Sequence, residues 1–159
     1  MLPRLTIICP VCDEESTVNI FFDRIEPVMA ELAPKYDCSL VFTNNASTDG
    51  TVAAITKIRE KYKNVYLITI SKNVGYQASL ECGLRTAKGD VFVFIDVDLE
   101  DPPEMIKDFV HWHEQGFDIV YGERRLKGAI THGLAPPAAA VVQASTSDHA
   151  MAPPAEDVA

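Results

Sequence analysis

Two aspartates one residue apart, Asp96 and Asp98, follow directly on the apolar run Val91-Phe92-Val93-Phe94-Ile95. Glu100 and Asp101 come next, and then Pro102-Pro103. Like charges at this spacing repel each other and are best explained by a shared cation. Hard carboxylate oxygens suit Mg²⁺ or Mn²⁺. Asp96 and Asp98 are the expected metal ligands, and Glu100 can add a third oxygen. The blander reading is a solvated turn after a strand. A rival chemistry is the phosphatase pattern D-x-D-x-[TV], with Asp96 as nucleophile and Asp98 as acid/base. That pattern wants Thr or Val where this chain has Glu100, and it usually lies on the first strand of a sheet.

Other residue groups have chemistry open to them. Cys9-Pro10-Val11-Cys12 has the spacing of a redox pair, but strand alternation makes one thiol a small inward hydrophobe. Zinc finds no second pair at metal spacing. Asp13-Glu14-Glu15 are either functional or simply acids favoured at a helix N-terminus. The amides of Asn44-Asn45 either read the edge of a base or hold a turn. Arg124 and Arg125 are either partners for phosphate oxygens or a basic stop after a strand. His111 and His113, two apart on a predicted helix, face different directions. No G-x-G-x-x-G follows a strand and no P-loop motif is present, so those two nucleotide-binding readings lose their main support.

These residues need a frame. Strands are predicted over 5–10, 39–43, 65–70, 91–95 and 117–121. Helices are predicted over 15–32, 51–62, 75–87 and 103–114, from apolar residues at helical spacing and from turn residues at their ends. Strands alternating with helices imply βαβ units and a mostly parallel sheet between two helical layers, an α/β three-layer sandwich. The 91–95 run is apolar on both faces, as in a buried parallel strand, so Asp96 and Asp98 fall at its carboxyl end. Open α/β sheets bind their ligands there. Residues 1–128 form the expected core. After Gly128 the chain turns rich in Ala and Pro without a steady period, and 129–159 is expected to be a disordered tail. The α/β pattern stops at Arg125, so the core is expected to be the first part of a larger domain.

The formal net charge of −9 over 159 residues argues against general binding to nucleic acid or to an anionic membrane surface. No stretch approaches the roughly 20 apolar residues of a membrane helix. The start, Met1-Leu2-Pro3-Arg4, does not look like a signal peptide. Four irregularly spaced cysteines suggest reduced thiols and a cytoplasmic setting.

Taken in order, the motifs resemble a family 2 glycosyltransferase, the inverting type with a GT-A fold. The carriers are Cys9-Pro10-Val11-Cys12-Asp13-Glu14-Glu15 after the first strand and Asn44-Asn45-Ala46-Ser47-Thr48-Asp49-Gly50-Thr51 after the second. Asn73-Val74-Gly75 matches the family's N-x-G segment, and Tyr121-Gly122-Glu123-Arg124 its Y-G-x-R. Asp96-Val97-Asp98-Leu99-Glu100-Asp101-Pro102-Pro103-Glu104 is similar to the D-x-D-L-Q-D-P-P-E of the polyprenyl-phosphate branch. That branch includes dolichol-phosphate mannose synthase and the bactoprenol glucosyltransferases.

The resemblance implies a nucleotide-diphosphate sugar as donor and a polyprenyl phosphate as acceptor. It implies that Pro10, Val11, Cys12, Glu14 and Val97 border the nucleotide sugar, that Asn44 meets the base, and that Asp96 serves nucleotide and metal together. Asp98 would be catalytic through the metal, and Arg124 through the acceptor phosphate. Asn44 stands where the family usually has an acid, and Glu100 where it usually has Gln. A non-catalytic fragment that binds sugar nucleotide and metal is the alternative.

Overall fold

The computed structural model describes residues 1–122 and the backbone of Val141–Ala144. Six strands form one sheet: β1 (Arg4–Val11), β2 (Asp37–Asn45), β3 (Val65–Ile70), β4 (Val91–Phe94), β5 (Ile119–Tyr121) and β6 (Val141–Ala144). The helices are α1 (Val18–Leu32), α2 (Thr51–Lys61), α3 (Tyr76–Thr86) and α4 (Ile106–Glu114), the last entered through a 3₁₀ turn at Pro103–Met105.

The strand order is β3-β2-β1-β4-β6-β5. β1 pairs in parallel with β2 and with β4, and β2 pairs in parallel with β3. The chain thus builds outward from β1 to β3, then returns to the other side of β1 with β4. The reversal leaves a crevice at the carboxyl ends of β1 and β4, the place where such sheets take their ligands.

Alternation along β1 sends Leu5, Ile7, Cys9 and Val11 to one face. There they join Val91, Val93 and Ile95 of β4, Phe21 and Ile25 of α1, Ile55 of α2 and Ile106 of α4 in a single core. Phe21 and Phe42 meet edge to face, with ring centroids 6.2 Å apart. The other face carries α3. A Cβ on Gly83 would lie 2.7 Å from Ile8 Cγ2 and 2.8 Å from Thr43 Cγ2, so only glycine lets α3 approach this closely. Buried Ser79 then sets its Oγ 3.1 Å from Thr43 Oγ1. This is the expected α/β sandwich with a mostly parallel sheet.

Three differences from the sequence reading have physical causes. α1 starts at Val18, not at 15, because residues 13–15 bond to the loop after β2, as described below. β5 starts at Ile119, because Gly116 and Phe117 are used to close α4: their N–H groups donate to His113 and Trp112 carbonyls. And Val141–Ala144, within the stretch read as a tail, forms β6, antiparallel to β4 and to β5. The Val-Val pair there has the β-propensity that the surrounding alanines and prolines mask. The rest of 129–159 lies outside the described residues.

Three ion pairs tie α1 and its C-terminal turn to the segment after β4: Arg24–Glu104, Lys107–Glu31 and Lys35–Glu114. Each is solvent-exposed and worth at most about 1 kcal/mol. Together they hold the segment that follows the Asp96–Asp98 motif against α1.

Candidate donor site

The loop after β1 is built against the loop after β2. Asp13, at a φ of +57°, accepts hydrogen bonds at Oδ1 from the Thr48 and Asp49 N–H groups, 2.6 and 3.3 Å away. Its own N–H donates to Ser47 Oγ at 3.0 Å. Glu14 N–H donates to Thr51 Oγ1 at 2.7 Å, and Glu15 N–H to Asp49 Oδ2 at 3.1 Å. Gly50 N–H donates back to Glu15 Oε2 at 3.0 Å. Asp13 and Glu15, left open between function and helix N-terminus, thus serve as loop acceptors.

Asn44 is buried, and its Oδ1 accepts from Ser47 N–H at 3.0 Å. Of the two roles open to it, base reader or turn holder, this structure shows it holding the turn. Its neighbour Asn45 faces the other way, because consecutive strand residues alternate. Asn45 Oδ1 accepts from Val74 N–H at 2.9 Å, and its Nδ2 donates to Asn73 Oδ1 at 3.1 Å. Asn73 Nδ2 in turn lies 3.6 Å from Cys12 Sγ. The loop after β3 is thereby fastened to β2 and brought to the end of β1.

After β4 the chain leaves the strand through Asp96. Tyr76 Oη donates to Asp96 Oδ1 at 2.7 Å. Asp98 Oδ1 accepts from Glu100 N–H at 2.9 Å, and Leu99 takes a φ of +64°. This tight turn ends the alternation that would have set residues 96, 98 and 100 on one side. Glu100, beyond this turn, is exposed.

Where these loops meet, a cavity of about 430 Å³ opens at the carboxyl ends of β1 and β4. Pro10, Val11, Cys12 and Glu14 line it from β1, and Asp96, Val97 and Asp98 from β4. Asn44 and Glu100 do not line it. Arg124 lies outside the described residues. Asn45, Asn73, Gly75, Tyr76 and Ser79 complete the wall. Asn73 and Gly75 belong to the N-x-G segment, which sequence reading noted but did not assign to the site. Nothing in the sequence pointed to Tyr76, whose approach depends on how α3 packs. A larger cavity of about 540 Å³ lies at the amino ends of the strands, against Phe22, Met29 and Tyr36. It is far from every motif with chemistry, so size does not mark the site here.

The field in the donor cavity is negative. Burial pushes the Cys9 thiol well up, and Asp96, Glu14 and Asp98 push it further. Burial also raises the Tyr76 phenol, helped by its hydrogen bond to Asp96 and by the charges of Asp96 and Asp98. Three carboxylates and no Lys or Arg occur among the described lining residues. Such a cavity repels a phosphate unless a cation comes with it. Among the described residues, no group of three or more His, Cys, Asp or Glu is placed to hold a metal ion unaided. Asp96 and Asp98 line the cavity together, and Glu100 does not. A pair is what Mg²⁺-type sites commonly use when substrate phosphates complete the shell. The donor set fits a divalent ion that arrives with a diphosphate.

Comparison with known proteins identifies relatives of the chain. The chain is 31% identical over 125 residues to a glycosyltransferase of Synechocystis, sll0501, covering 79% of this chain and 39% of that protein. It is 31% identical over 121 residues to the bactoprenol glucosyl transferase of Shigella phage SfV, covering 76% and 39%. The chain therefore spans about two fifths of the length of these relatives. Among solved structures, the mannosyltransferase PcManGT from Pyrobaculum calidifontis, in complex with GDP-Man and Mn²⁺, superposes with a TM-score of 0.60 at 27% identity, over 70% of this chain and 32% of that one. Glucosyl-3-phosphoglycerate synthase from Mycobacterium tuberculosis shares the fold, with a TM-score of 0.56 at 24% identity over 74% and 41%. Residues 6–142 match the family described as glycosyl transferase family 2, and the chain belongs to that family.

Proposed function

We propose that this chain is the donor-binding part of an inverting glycosyltransferase that moves a sugar from a nucleotide diphosphate to a polyprenyl phosphate. The observation that carries the reading is the placement of Asp96 and Asp98 at the β1/β4 switch point, in one cavity with Pro10, Cys12 and Glu14. Asp96 and Asp98 would hold Mg²⁺ or Mn²⁺ together with the diphosphate, and a divalent ion there would supply positive charge to offset the charge growing on the leaving group. Pro10, Val11, Cys12 and Asn73 border the nucleoside. The positive end of the α3 dipole, at Gly75 and Tyr76 on the cavity wall, favours the anionic donor. Attack from the face opposite the diphosphate inverts the anomeric carbon.

The likeness to a bactoprenol glucosyl transferase supports the polyprenyl phosphate as acceptor. A phosphate monoester is already an anionic nucleophile and needs positioning more than deprotonation. Arg124 is the residue we assign to that acceptor phosphate. No helix among the described residues is long and apolar enough to cross a membrane. The four cysteines are free thiols, which suits the cytoplasmic side of a membrane as the place of reaction.

Calorimetric titration with UDP, GDP and a UDP-sugar, each with and without Mn²⁺, tests the donor site. Binding that Mn²⁺ strengthens is the expected result. Absence of metal-dependent binding to all three, by folded protein, defeats the reading. A second reading is a unit that binds sugar nucleotide and metal without transfer. Transfer of labelled sugar to a polyprenyl phosphate decides between the two.

A further inference from the structure

We infer that Tyr76 is a positioning residue for Asp96, setting that carboxylate to receive the metal-bound diphosphate. The inference rests on the donor-site reading above and adds a residue from the opposite helical layer. Tyr76 opens α3, 20 positions before Asp96 in sequence, yet its Oη donates to Asp96 Oδ1 at 2.7 Å. It lines the cavity with 43% of its surface exposed, so its ring is open to whatever the cavity takes.

The backbone that presents Tyr76 is itself held. Gly75, at a φ of +84°, makes the bend into α3, a conformation costly for any residue with a Cβ. Gly75 N–H donates to Asn73 Oδ1 at 2.9 Å, and Val74 N–H to Asn45 Oδ1 at the same distance. The phenol is therefore carried on a segment fastened to β2. Its neighbour Ser79 is packed against Thr43 one turn later.

The consequence for Asp96 is geometric. With Oδ1 engaged by a neutral donor, the plane of the carboxylate is fixed and Oδ2 has a defined direction. The hydrogen bond also offsets part of the repulsion from Asp98. Partners that orient a ligating carboxylate are worth about 10- to 100-fold in metal affinity.

The test is Tyr76→Phe, which keeps the ring and removes the donor. Titration with GDP and with UDP is run with Mn²⁺ and without metal, beside thermal melting, for the wild type and the variant. The expected result is about a 10-fold or greater loss of Mn²⁺-dependent affinity, with metal-free affinity and Tm unchanged. A merely structural role would move Tm and metal-free affinity together, and that result overturns the inference. Equal Mn²⁺-dependent affinity for both proteins overturns it too, while leaving the donor site standing. A wild type that binds no metal-nucleotide overturns the donor reading and this inference with it.

Discussion

The loops after β1 and β2 border the same cavity as the loop after β4, but they are built differently. In the first pair, carboxylates are acceptors for backbone N–H groups: Asp13 takes Thr48 and Asp49, and Glu15 takes Gly50. Their charge is used inside the protein, and it locks two loops into one wall. In the β4 loop, Asp96 meets a phenol from a distant helix, and Asp98 meets one nearby N–H group. Their charge faces the cavity. The difference teaches how a sequence rich in acids after its strands divides them: those that bond across loops make a rigid frame, and those after β4 line the cavity.

Substitutions on the two sides should therefore fail in different ways. The largest effect is expected from Asp98→Ala. Its carboxylate is exposed and bonded locally, so Tm should change little while Mn²⁺-dependent nucleotide binding falls by about 100-fold or beyond calorimetric detection. Unchanged affinity would erase the contrast between the two regions.

Thr51→Val comes next. Thr51 is fully buried, accepts from Glu14 N–H and donates to Asp49. Removing the hydroxyl leaves a part-buried donor unmatched and should cost about 1–3 kcal/mol in urea unfolding. Metal-dependence of binding should persist.

Asp13 sharpens the frame further. Asp13→Ala loses its acceptor and puts a Cβ at a φ of +57° without a local hydrogen bond, so a loss of about 1–2 kcal/mol is expected. Asp13→Gly relieves the backbone but not the lost bonds, and should fall between Ala and wild type. Equal stability of all three would show that the loop is not held through Asp13.

The frame should also respond to acid. The Thr51 hydroxyl holds the Asp49 carboxyl below its usual value, with backbone N–H groups of Thr51 and Glu15 helping. A lowered folded pKa means stability that is present above the unfolded value of about 3.9 and lost as pH falls through the lower, folded one. Tm measured downward from pH 5 should drop less steeply in Asp49→Asn than in the wild type. The smallest effect belongs to Arg24→Ala on the surface, about 1 kcal/mol or less and weakened by salt.

Much of this was legible from residue order alone. Alternation and helical spacing placed β1 to β4 and the four helices, because burial of one face leaves a period in the chain. The apolar run ending in Asp96 and Asp98 marked the sheet edge that takes ligands, and the motifs placed Pro10, Cys12 and Glu14 near it. What stayed hidden depended on contacts between distant segments or on local turns. Asn44 and Asn45 read as equivalent amides until the pleat turned one inward to Ser47 and the other toward Asn73. Glu100 shares the spacing of the two aspartates, yet after the turn at Leu99 it is not part of the cavity lining. Tyr76 had no signature, since only α3 seated on Gly83 brings its phenol to Asp96. Val141–Ala144 joined the sheet between β4 and β5 from a stretch whose composition spoke for a tail. Sequence determined which elements form and where the charged edge lies, since periodicity and propensity are local properties. Tertiary structure decided which acids serve the frame and which the cavity, since that depends on which distant donors reach each carboxylate.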